Sequence, residues 1–138
     1  MKEGDRICNK GKIVFYWLVD VLPKSILIIE DNPAILNNLA ELLESRGYLP
    51  LIADNGYSGL QMAIAYQPDL ILCYLHIGGL SGLQIAKTLR NRGNATPIVF
   101  QTADVKKEVL EELEGFGEVV YKPFSIDEIM GVVDKFLK

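Results

Sequence analysis

Histidine and cysteine are nearly absent from this chain, with one of the first and two of the second among 138 residues. Cys8 lies in a polar N-terminal stretch and Cys73 inside an apolar run, so the two are not expected to form a disulfide. Cys73 reads as a small buried hydrophobe and Cys8 as an incidental surface thiol. One histidine with no cysteine pair beside it gives no zinc set. The cysteine usage fits a reducing cytoplasm. Excess positive charge is missing too, for the formal net charge is −4. Residues 1–24 hold five Lys/Arg against three Asp/Glu, whereas residues 25–138 hold nine against fifteen. So acidic a body is a poor match for nucleic-acid phosphates, and DNA and RNA are excluded as partners. Long hydrophobic runs are also lacking. Ile13–Val19, continuing through Asp20 to Leu22, falls short of the about 20 apolar residues that span a bilayer. It has no small-residue cleavage site, so neither a signal peptide nor membrane insertion is expected. Its β-branched and aromatic bias favours a packed or edge-pairing strand, with a helix or a dimer arm as alternatives. Residues 1–24 are therefore read as an extension, and residues 25–138 as one domain.

What remains is about half apolar, enough for a full core. After Pro23 the chain alternates regularly. Ser25–Ile29 reads as an apolar strand, and Asn32-Pro33 as an N-cap with proline at the first helical position. Leu36, Leu39, Leu42 and Leu43 then repeat at helical spacing until Gly47. Leu49–Ala53 is a second strand, and Asp54-Asn55-Gly56 turns into a helix through Leu60, Ala63 and Ile64. Leu70–Leu75 is the third strand, followed by a helix capped by Ser81 with Leu83, Ala86 and Leu89 inward. Pro97–Gln101 is the fourth. Asp104 caps the next helix, which runs through Val109, Leu110 and Leu113 to Gly115. Glu118–Tyr121 is the fifth strand. Ser125-Ile126-Asp127-Glu128 is a capping box opening a last helix with Ile129, Met130, Val133 and Phe136 as its buried stripe. Each parallel crossover needs a helix-length connection, so this order predicts an α/β, doubly wound, five-stranded parallel sheet.

In such sheets, ligands bind at the carboxyl ends of the strands. Four of the five predicted ends carry polar groups there. Glu30 and Asp31 follow the first, Tyr74 ends the third, Thr102 ends the fourth, and Lys122 follows the fifth. Adjacent carboxylates suit a hard divalent cation such as Mg²⁺. A hydroxyl and an ammonium opposite them suit phosphoryl oxygens. The set is a phosphoryl-transfer template with no nucleotide loop.

These residues carry a resemblance. From Ser25 to Lys138 the chain resembles the receiver domain of two-component response regulators. The motifs are Ile28-Ile29-Glu30-Asp31-Asn32-Pro33, Pro68-Asp69-Leu70-Ile71-Leu72, Gly79-Leu80-Ser81-Gly82-Leu83, Pro97-Ile98-Val99 with Thr102-Ala103, and Lys122-Pro123-Phe124. The resemblance implies a flavodoxin-like sheet of order 2-1-3-4-5 and a cis bond between Lys122 and Pro123. It places Tyr74 at the phosphoacceptor position, where the family has Asp. Asp69 lies at the wrong end of the strand to substitute. Gly78 stands where a proline is usual, and Val119 where a switch aromatic often stands.

A phenol cannot form an acyl phosphate, and Tyr74 removes one of the metal-binding carboxylates. Glu30, Asp31 and, on the family's geometry, the backbone carbonyl of His76 remain as weak Mg²⁺ ligands, with no cofactor required. The expected protein is therefore a stand-alone pseudo-receiver, a non-enzymatic signalling module acting by contact. The resemblance puts the contact with a sensor kinase or other signalling protein on the 105–137 face. That face includes Val109, Val119, Tyr121, Glu108, Glu111 and Glu112. A homodimer through the N-terminal run stays open. Two other readings stay open as well: a switch worked by phosphorylation of Tyr74, and a flavodoxin-like small-molecule binder. The second finds no phosphate-cradling glycine loop after the first strand, where Glu30-Asp31 would repel an anion.

Overall fold

A computed structural model describes residues 22–103 and 106–138. The strands are β1 (Ser25–Ile29), β2 (Leu49–Ala53), β3 (Leu70–Tyr74), β4 (Ile98–Thr102) and β5 (Glu118–Tyr121). The helices are α1 (Pro33–Ser45), α2 (Gly56–Tyr66), α3 (Gly82–Asn91), α4 (Lys107–Glu114) and α5 (Ile126–Leu137). All pairings are parallel, in the order β2-β1-β3-β4-β5. The predicted architecture is present.

Local chemistry sets the helix starts. The Asn32 side chain accepts from the N–H groups of Ala34 and Ile35, satisfying donors that an α-helix leaves free. Ser81 with Gln84 and Ser125 with Glu128 form reciprocal capping boxes. Helix α4 departs from expectation. Its cap position is Lys106, with no side-chain capping bond, and Asp104 lies outside the described residues. Cys8 and the run Ile13–Val19 lie outside them too.

Alternation along the strands divides the core into two layers. Ile26, Ile28, Leu70, Leu72, Val99 and Val120 pack under α1 and α5. Leu27, Ile29, Ile71, Cys73, Ile98 and Phe100 pack under α2, α3 and α4. Central strands buried on both faces explain the unbroken apolar runs in the sequence. Two expected stripes shift. In α3, Ile85 is fully buried beside Ala86 and Leu89 while Leu83 is only partly covered. In α5, Ile129, Met130 and Val133 are buried, but Phe136, in the last turn, is exposed. The stripe is right in phase and one turn too long.

Candidate functional site at the carboxyl rim

Backbone hydrogen bonds fix the rim where the strands end. Glu30 N–H donates to Ala53 O, Leu75 N–H to Gln101 O, and Lys122 N–H to Thr102 O at 2.7 Å. The loop after β3 is held by Gly56 N–H to Gly78 O and by Gly82 N–H to Leu75 O. Gly56 can approach because it lacks a side chain, as a Cβ there would run into the Leu80 backbone. The Lys122–Pro123 peptide is cis.

Ile29 pairs with Cys73, and Tyr74 pairs with Gln101. Glu30, Tyr74 and Gln101 therefore stand level on β1, β3 and β4, on the face that α1 and α5 cover. Lys122 enters this row from the end of β5. Its Nζ donates to Glu30 Oε1 at 2.8 Å and sits 3.9 Å from the centroid of the Tyr74 ring. The Glu30 side chain is 1% exposed and that of Lys122 16%. The cation is thus shared between a buried carboxylate and an aromatic face, both of which attract it. His76, exposed in the loop, meets Tyr74 edge-on with ring centroids 6.0 Å apart.

The structure brings together Glu30, Tyr74 and Lys122. Thr102 is fully buried at the end of β4, and Asp31 is exposed just past Glu30. Among the described residues, no three His, Cys, Asp or Glu side chains converge on a point where a metal ion could sit. Glu30 Oε1 is already neutralised by Lys122, so the donor set is short of what Mg²⁺ takes. One functional neighbour escaped the sequence reading. Gln101 is fully buried, and neither of its amide atoms has a hydrogen-bond partner; Glu30 Oε2 is likewise buried without one. A glutamine inside an apolar run carries no signal of its own, and only the register places it level with Tyr74.

Cys73 is a free, buried thiol pushed up to about 12 by burial and then by the Glu30 carboxylate. It is inert packing, as a low thiolate fraction requires. On the proposed contact face, Tyr121 is exposed, while Val109 and Val119 pack partly against the core. Glu112 pairs with Lys87 of α3 at 2.6 Å, and Glu118 with Lys135 of α5 at 2.6 Å.

Residues 26–134, which form this parallel 2-1-3-4-5 sheet and its helices, match the model of the response regulator receiver domain. The chain belongs to that family. The receiver is 30% identical over 119 residues to the sporulation initiation phosphotransferase F of Bacillus subtilis, covering 85% of this chain and 96% of that one. It is 30% identical over 120 residues to the polar-differentiation response regulator DivK of Brucella anthropi, covering 84% and 98%. A solved structure of the response regulator TrrA from Thermotoga maritima, in complex with Mg²⁺ and BeF, superposes with a TM-score of 0.74 at 30% identity, covering 82% and 98%. The receiver is thus a signalling domain of the two-component type. Among its described residues, no helix is long and apolar enough to cross a membrane.

Proposed function

We propose that this receiver works by contact with a protein partner and is not switched by phosphorylation of an aspartate. One observation carries the reading: β3 ends in Tyr74, whose ring lies under the Lys122 ammonium. A phosphoryl group needs a carboxylate nucleophile there and a free cation to receive its charge. Here the first is a phenol, and the second is held by Glu30 and the ring. The domain is a pseudo-receiver, with no enzymatic step assigned and no required cofactor. Mg²⁺ binds weakly, through Glu30, Asp31 and the His76 carbonyl.

The partner is a sensor kinase or another signalling protein, meeting the 105–137 face with exposed Tyr121 and the acidic residues of α4 at its centre. The acidic balance argues against nucleic acid. The cysteine usage supports a cytoplasmic setting.

The test is an amide NMR titration with beryllofluoride at a constant, high Mg²⁺ concentration, since the two together mimic a phosphorylated carboxylate and the Mg²⁺-only spectrum is the reference. The expected spectrum is unchanged around Glu30, Tyr74, Thr102 and Lys122. Saturable shifts at those four positions would overturn the reading.

A further inference from the structure

Helices α1 and α5 do not close over the sheet. Between them lies a groove of about 630 Å³, a size that suits a small molecule. Helix α1 supplies Ile35, Asn38, Leu39 and Leu42, which recur at helical spacing and so share one face. Phe124, Ile126 and Ile129 form the other wall. Among the described residues that line the groove, only Lys122 is charged. Leu39 and Ile129 are buried, but Ile35, Leu42 and Phe124 are half-covered and Ile126 is 57% exposed. Both walls thus keep apolar side chains that no part of the sheet covers.

We infer that this groove binds a small neutral amphiphile, an apolar chain or ring bearing one hydrogen-bond acceptor such as an amide or ester carbonyl. Charge selects the head. The ammonium of Lys122 already donates to Glu30 at 2.8 Å, and that pair is neutral as a whole. A ligand carboxylate would give up its water in an apolar groove for a cation already spent on Glu30, and a ligand ammonium would meet Lys122. A carbonyl brings no charge to desolvate and asks only for a donor. The ammonium has three N–H groups, of which Glu30 takes one, and the Asn38 amide offers two more from the α1 wall.

Length selects the body. From Ile35 to Leu42 the α1 wall runs about 10 Å, about the length of an eight-carbon chain. Extent points the same way. Ten residues line the groove, whereas a stable protein interface takes about 20–30 on each side, so the groove alone is too small a seat for a second copy or a folded partner. The inference goes beyond the proposed function and does not rest on the role of Tyr74. Its consequence is a ligand held against the first turn of α5, the helix that ends the 105–137 contact face.

The test is an amide NMR titration of the whole 138-residue protein with N,N-dimethyloctanamide, a neutral probe that only accepts, beside octanoate and octylammonium. The expected result is saturable shifts at Leu39, Leu42, Ile126 and Ile129 with the neutral probe, and binding of both ions weaker by about tenfold or more. Ile126→Asp puts a charge in the wall and should abolish the shifts. Ile126 is the first residue of α5, where an acid is favoured, so that variant keeps its fold by circular dichroism. Asn38→Ala, at an exposed position of α1, should weaken binding about fivefold by removing one donor. Absence of saturable shifts in the native protein would overturn the inference. So would binding that either variant leaves unchanged, or an ion bound as tightly as the amide.

Discussion

The ammonium of Lys122 stands 3.9 Å from the centre of the Tyr74 ring while donating to Glu30 at 2.8 Å. The lysine is thus engaged twice within the protein. The arrangement has an energetic consequence as well as a chemical one.

Removing Lys122 leaves Glu30 charged, buried and alone. Lys122→Met should therefore destabilise the domain by about 3 kcal/mol, since breaking one side of a buried pair costs far more than the pair itself contributes. Adding Glu30→Gln should recover part of the loss. The ring contact is the smaller term, with a coupling between Tyr74→Leu and Lys122→Met of about 1 kcal/mol. Urea denaturation of the single and double variants measures both.

Alkaline pH should weaken the fold before it reaches the lysines. The Cys73 thiol rises from 9.0 to about 12 through burial and the nearby Glu30 charge. The Tyr48 phenol rises from 10.0 to about 12 through burial and then through its hydrogen bond to Asp134. Above about pH 9 the unfolded chain releases protons that the folded chain keeps, so stability falls as pH rises. The fall starts with Cys73 and steepens above pH 10 with Tyr48. In Cys73→Ala it should begin only near pH 10, as denaturation midpoints across the alkaline range would show.

Two glycines give opposite outcomes. A Cβ at Gly131, within α5, meets nothing within 4 Å, so Gly131→Ala should stabilise by about 0.5–1 kcal/mol through helix propensity. A Cβ at Gly56 meets the Leu80 backbone, so Gly56→Ala should lower the melting temperature and loosen the loop after β3. Thermal melts of both decide it.

Much of this was legible before the structure. Asn32, Ser81 and Ser125 cap helices because their side-chain oxygens reach free N–H groups within three residues, and such a signal is local. Five apolar runs separated by helix-length segments leave little choice but a parallel sheet. The polar strand ends were legible for the same reason. The contact between Lys122 and Tyr74 was not, because it depends on the reach of a long side chain between β5 and β3. Gln101 was missed because its burial is a property of register. Phe136 was misplaced because periodicity gives the face of α5, not the point at which the core ends.

Metal binding separates the two states of the pocket. An aspartate at position 74 would add a third hard ligand to Glu30 and Asp31 and compete with Glu30 for Lys122. Titration calorimetry should therefore find weaker Mg²⁺ binding in the native protein than in Tyr74→Asp. Equal affinity would show that Glu30 and Asp31 are not the ligands.

The most direct measurement is intact mass after incubation with acetyl phosphate and Mg²⁺, for the native protein beside Tyr74→Asp and Tyr74→Asp with Lys122→Ala. The account predicts no addition to the native chain. It predicts a phosphoryl group labile in both acid and base on Tyr74→Asp, since positioning and charge neutralisation supply most of what the transfer needs, and little on the double variant. The conformational response of Tyr74→Asp should be muted, because Val119 offers no aromatic ring to turn. One phosphoryl group per native chain would contradict the account.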